Sequence, residues 1–581
     1  MKRFYLTLCS AILGITAMAQ TPSIQWGDDF RMRKGSTDLK VISADNTGAY
    51  LQEGHLALKS YFVVAASLRE SATLVKVDQN LAEVYRNDFN KELKGKEFEQ
   101  IFAFQDKLFL FASDYSKREK TLTLYAAPID KSTGELSGDW KQTSVFQLNE
   151  KSDDVNFKID YNVDSSKILI VSSTEGAERN EYKIQELDKN LKATAKPLIL
   201  KNEFERKKYE LEDLLYTSDR SVVLVGRMYE YEEGKKKKDK FLDFTNYNIR
   251  IYNDKGKQKA EINTTINGKW LTNTKLIQEK NKDLVLAAFY SNVKKGKTID
   301  GLLVQRINVA DGSVVSTSDK KINSTLLTDD QGDADDDDKE ETKDERKKRE
   351  ELKKMQEEGE GFSKYMQFRK IFYTADNGLV ILAERYDHYV TSYQSYSPGP
   401  VGVGGAASSA GQWRSTSVSI YLSGDLMMCK VDASGNIGWL QIVPKKQREE
   451  IQGATSTMGM GLGFSTSYFM EGGRPYYSGF AALQGNGNIQ VLFNDNRKNI
   501  TVTQAGQKAK PIYRFSKSDC FVLNIDEVSG KLTRKVFFSN LDIPTSMPRL
   551  GAIVGNNMYI IGRTDRALAK TRVAVGVIRI K

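Results

Sequence analysis

Eight times along this chain a short turn rich in Asp, Asn and Gly introduces a strongly β-prone apolar run. The turns lie at Ala44 to Gly48, Gln105 to Lys107, Asp164 to Lys167, Ser218 to Arg220, Asn281 to Asp283, Asp376 to Gly378, Gly485 to Asn488 and Gly555 to Asn557. Runs such as Leu108 to Phe111, Val222 to Val225 and Leu379 to Leu382 follow at once. Self-similarity at roughly 50 to 60 residues marks a propeller or an array of like units, not a string of unlike domains. A second family of turns, including Asp78 to Asn80, Asp188 to Asn190, Asp432 to Gly435 and Asp526 to Gly530, closes the later strand pair of each unit.

The first family has eight members and the second seven, because the chain stops inside the strand that the eighth would follow. A four-stranded last blade then lacks its outer strand. Ser23 to Phe30 reads like the outer-strand segments Ile437 to Val443 and Glu83 to Phe89, so the N-terminal strand is expected to complete that blade. Closure of this kind removes the unpaired edges that an open series of sheets would leave. The expected fold is all-β, an eight-bladed β-propeller closed by the N-terminal strand. In the first unit the second strand could begin at Ala49 or at Tyr61.

Residues 1–19 stand apart. Lys2 and Arg3 precede an apolar stretch from Phe4 to Met18, and Ala17-Met-Ala19 is a small-residue cleavage signature, so the segment reads as a secretory signal peptide. No later apolar run reaches the roughly 18 residues of a transmembrane helix. Residues 20–581 are then one propeller domain, exported to the periplasm or cell surface. Cys429 and Cys520 fall at unlike offsets from their following turns, which places them on opposite sheet faces as two separate buried thiols.

In a propeller the loops between strands two and three share one face with the blade-to-blade connections. The long excursions 228–246, 326–365, 385–417, 445–479 and 495–518 all fall on that face, whereas the tight turns fall on the other. Loops on a rigid scaffold are where binding resides. Residues 329–360 form a charged insertion of sixteen acids against eight bases, a solvated helix or a disordered stretch, which leaves the rest of the mature chain near +16. Its Asp333, Asp335 and Asp337 alternate like an oxygen-ligand loop, but the required Gly and the closing Glu are missing. The insertion 385–417 is a Tyr- and Gly-rich projecting hairpin. Tyr386, His388, Tyr389, Tyr393, Tyr396 and Trp413 are the candidate ligand-binding residues, since exposed aromatics with polar tips suit a glycan or a protein surface. The alternative is that these aromatics pair across the hairpin and cover their own backbone.

Catalysis has little support. Two His and two remote Cys cannot build a zinc cluster or a nucleophilic triad, and no nucleophile elbow, phosphate loop or cofactor motif is present. No metal site, cofactor or nucleic-acid module is expected. A pair of carboxylates suited to glycan hydrolysis or lysis has no sequence signature and stays open as the alternative to binding. The succession Leu379 to Glu384 with its Tyr-rich insertion, then Ile442 to Gln447, then Leu492 to Asn499, resembles a group of secreted, functionally uncharacterised propeller-like proteins of Gram-negative cell envelopes. That resemblance implies an envelope setting and an envelope or extracellular protein, or a glycan, as partner; it supplies no catalytic residue.

Overall fold

The computed structural model describes residues 24–579 apart from 34–35, 62–64, 149–153, 163, 176–179, 203–207, 232–241, 264–268, 279–282, 293–298, 323–365, 398–411, 453–474, 542–543 and 565–571. The expected signal peptide 1–19, the charged insertion 329–360 and most of the turn Asn281 to Asp283 lie outside the described residues. The rest is an eight-bladed β-propeller. Blade 1 comprises Ser36–Asp45, Gly48–Tyr61, Ala65–Val77 and Glu83–Asp88, each strand antiparallel to the last. Blade 2 spans 97–147, blade 3 154–202, blade 4 209–263 and blade 5 270–321. Blade 6 comprises Gln367–Tyr373, Leu379–Ser397, Gln412–Val431 and Ile437–Val443, with a fifth strand, Gln447–Gln452, paired to the far half of Gln412–Val431. Blade 7 runs from Ala481 to Ser539, and blade 8 holds Thr545–Val554, Asn557–Thr564 and Arg572–Arg579.

The outer strand of blade 8 comes from the other end of the chain. Ile24–Trp26 pairs with Arg572–Arg579 in the register Ile24 opposite Ile578 and Trp26 opposite Gly576. Phe30 and Arg31 continue along the same strand, and Asp29 clamps Arg572 through two carboxylate contacts of 2.5 and 2.6 Å. Gly562 and Gly576 leave room for the Trp26 indole, whose ring also meets Phe538 of blade 7 edge-on at 6.1 Å. In blade 1 the second strand begins at Gly48 and continues to Tyr61, so both candidate start points belong to one long strand.

Two sequence patterns explain why the blades form and stack. In the second turns an Asp or Asn side chain accepts backbone N–H bonds from residues two and four further on. Asp78, Asp188, Asn253 and Asp432 all do so at 2.8 to 3.0 Å. The apolar runs then fill eight seams, one between each neighbouring pair of blades, the closing seam of blades 8 and 1 included. Cys429 lies in the seam of blades 5 and 6 and Cys520 in that of blades 7 and 8, so the two thiols face opposite sides of their sheets and are free. Burial pushes both thiols up, Cys429 to about 12. Among the described residues no helix is long and apolar enough to cross a membrane.

Candidate functional site

The long excursions leave from one end of the ring, and the sheets there share a local device. In blades 2, 4 and 6 the innermost strand carries a one-residue bulge, at Glu99, Glu212 and Arg369 respectively. A bulge re-aims its residue out of the alternating pattern. Each of the three reaches the same place on the second strand. Glu99 accepts from Ser113, Glu212 meets Arg227 at 2.7 Å, and Arg369 meets Glu384 at 3.3 Å. In blade 8 four residues, Pro548 to Gly551, stand opposite Ile560 alone, and this wider bulge carries Arg549. Its guanidinium donates to the Pro475 carbonyl from Nε and Nη2.

Around Glu384 the polar contacts become a network that holds the longest loops. Lys445, fully buried, donates to Glu384 at 2.5 Å, to Ser423 at 2.9 Å and to Gln447 at 2.8 Å, while its own backbone N–H is taken by Asp425. Burial would raise the Glu384 carboxyl, but Lys445 and Arg369 outweigh it and hold it below the usual range. Gln447 passes a bond to the Asn494 carbonyl and accepts one from Gly479, and Glu449 takes three successive backbone N–H groups, of Tyr476, Tyr477 and Ser478. Asn494 continues through Asn540 and Ser546 into blade 8. Beneath it the buried pair Asp495 and Arg534 closes at 2.7 Å, with Arg534 stacked over Phe521 at 4.2 Å. Strand Gln447–Gln452 is joined in turn to Ile512 of the blade 7 loop, and Tyr477 stacks on Phe515. The loop-rich end over blades 6 to 8 is therefore a built platform.

Within the insertion 385–417 the described strands pair in the register Tyr386 opposite Ser423 through Ser397 opposite Gln412. Its base belongs to the platform. Tyr386 lies under the Arg369 guanidinium, 4.6 Å from the ring centroid, and burial pushes its hydroxyl up to about 12. His388 stacks on its cross-strand partner Tyr421 at 4.3 Å, burial lowers its pKa, and its Nε2 is buried with no hydrogen-bond partner. Val418 and Ile420 of the return strand are buried. Tyr389, Tyr393 and Tyr396 stand opposite Ile420, Thr416 and Trp413 in the strand register, and the side chains of Tyr389, Tyr393, Tyr396 and Trp413 lie outside the described residues.

Sequence reasoning did not single out Arg369, Arg549 or the network itself. Five members of the network, Glu384, Lys445, Gln447, Asn494 and Asp495, lie within the segments Leu379 to Glu384, Ile442 to Gln447 and Leu492 to Asn499. An acid ending an apolar run, as Glu384 does, is a place where a buried polar group would need partners. Chemically, the covered carboxylates at this end are committed: Glu384 to Lys445 and Arg369, Glu212 to Arg227, Asp495 to Arg534. Among the described residues no three His, Cys, Asp or Glu gather as metal ligands do.

No family model matches the chain, and no curated protein matches it. Among solved structures it is similar to the β-propeller domain of the Trilobed protease from Pyrococcus furiosus, at 9% identity over 87% of this chain and 98% of that one, with a TM-score of 0.30. Against prolyl oligopeptidase B from Galerina marginata the values are 13% identity, 60% and 39% coverage and 0.27, so the match spans about two fifths of that enzyme. An endo-arabinase from Bacteroides thetaiotaomicron gives 11% identity, 49% and 100% coverage and 0.23. These likenesses are of fold.

Proposed function

We propose that this chain is an exported, non-catalytic binding or scaffold protein of the cell envelope, engaging a protein or a glycan through its loop-rich end. The observation that carries this reading is the asymmetry of the ring. Tight Asx turns trim one end, whereas the other bears the long hairpins of blades 1 and 6 and the blade 6 to 7 connection, seated on a buried polar frame. A frame of this kind gives loops a fixed base, which is what a recognition surface requires.

The base of the blade 6 hairpin is structural, so the test removes only what projects. Residues 389–417 are replaced by a two-residue turn, which keeps Tyr386, His388 and the buried Val418. Expected is loss of capture of envelope proteins or of arrayed glycans, with the thermal transition of the parent retained. Unchanged capture would sink the reading. Product formation from envelope or plant polysaccharides in the same screen would favour a carboxylate-dependent hydrolase or lyase instead.

A further inference from the structure

The ion clusters of blades 4 and 6 are built on the same register and carry opposite charge. In blade 4 the second-strand residue is Arg227, opposed by Glu210 and met by the bulge residue Glu212, so one cation sits between two carboxylates. In blade 6 the second-strand residue is Glu384, met by the bulge residue Arg369 and by Lys445. The position that Glu210 holds in blade 4 is here the neutral Gln367, which stands opposite Glu384. Two cations therefore meet this one carboxylate, while the buried Asp425 accepts from the Lys445 backbone N–H. Arg549 from blade 8 adds a further positive group close by, and burial together with Arg369 lowers its pKa. The neighbouring Glu449 is satisfied by three backbone N–H groups instead of by a cation.

Arg369 meets solvent, with its side chain 29% exposed, whereas Lys445 and Glu384 are fully covered. The Arg369 Cζ lies 4.6 Å over the Tyr386 ring centroid and its Nε donates toward Glu384. These two contacts use the ring face and Nε, and a guanidinium held in this way can turn its Nη donors to an oxyanion, as Arg does when it takes a carboxylate. We propose that Arg369 anchors a carboxylate-binding site at the loop-rich end, where a carboxylate of the ligand supplies the negative charge that Glu210 supplies in blade 4 and the neutral Gln367 does not. This rests on that end being the binding end and adds the chemical class of what it binds. An acidic sugar or an acidic side chain could carry the group, and the probes separate them.

The purified mature chain is titrated calorimetrically with trigalacturonate and with triglutamate, each beside its neutral counterpart, trigalactose and triglutamine. One acidic probe should bind, its neutral counterpart should not, and added salt should weaken the binding. Arg369→Gln should lower the affinity by about tenfold or more, the worth of a charged hydrogen bond. Gln367→Glu should do the same, because it places an internal carboxylate beside Arg369, and it removes no existing ion pair should Arg369→Gln fail to fold. Equal response to acidic and neutral probes, no binding of either acid, or affinity unchanged in both variants overturns the site. Capture that depends on residues 389–417 while both acids fail to bind would overturn this site alone and leave the proposed function standing.

Discussion

At the scale of single residues, the decisive question is how buried charge is kept in partners. Lys445 and Glu384 are both covered, and removing one partner strands the other in a medium that solvates it poorly. Lys445→Met should cost about 3 to 5 kcal/mol in urea unfolding, the range for a broken buried pair, and Glu384→Gln added to it should recover much of the loss. A double-mutant cycle with no coupling would contradict this. Acids of the tight turns respond differently. Lys430 and Thr374 hold Asp376 at about 2, and Lys131 and Thr47 do the same for Asp45 against the opposing effect of its burial. Both folded values lie below the unfolded value of about 4, so the stability these groups contribute is present above pH 4 and is lost as pH falls from there toward 2. Unfolding midpoints followed over that interval should fall, and Asp376→Asn should flatten part of the slope. The partners of Asp45 and Asp376 across the turn, Thr47 and Thr374, are legible in sequence because they lie two residues away. Lys445 reaches Glu384 across 61 residues, and no local pattern announces that distance.

Strands and turns were the most legible level. An apolar run after an Asx turn needs only local chemistry, and the turns fall where the residues place them. What stayed hidden is the bulge. Glu99, Glu212 and Arg369 sit inside strands whose alternation is broken by one residue, and nothing in their composition marks the slip. The long reach of Gly48–Tyr61 was likewise read as two possible starts instead of one strand. Seams between blades also depend on turns. Gly530 turns at φ +68° beneath Trp439 of blade 6, where a Cβ would come within 2.6 Å of the indole. Gly530→Ala should cost about 1 to 2 kcal/mol from the left-handed backbone alone, with a further loss from the displaced ring. A shift in tryptophan emission together with a lower urea midpoint would report it; an unchanged midpoint would show that the seam relaxes freely.

For the whole molecule, ring closure was the inference that the count of turns supported best, and the pairing of Ile24–Trp26 with Arg572–Arg579 bears it out. Removing residues 20–31 exposes the outer edge of that last strand and the seam behind Trp26. The shortened chain should melt at a lower temperature, its Val573 to Ile578 amides should exchange hydrogen far faster, and it should self-associate through the bared edge. Retained protection of those amides would refute a closing role for this segment. The electrostatic difference between blades 4 and 6 was invisible beforehand, because it appears only when two innermost strands are superimposed blade on blade.

The clasp of Asp29 on Arg572 joins residues more than five hundred positions apart. During synthesis Arg572 follows Asp29 only after every intervening blade has been made, so the earlier segment has no berth while those blades are appearing. A ribosomal product that breaks off before Arg572–Arg579 cannot lock the ring shut, so the sealed state excludes chains truncated within the propeller.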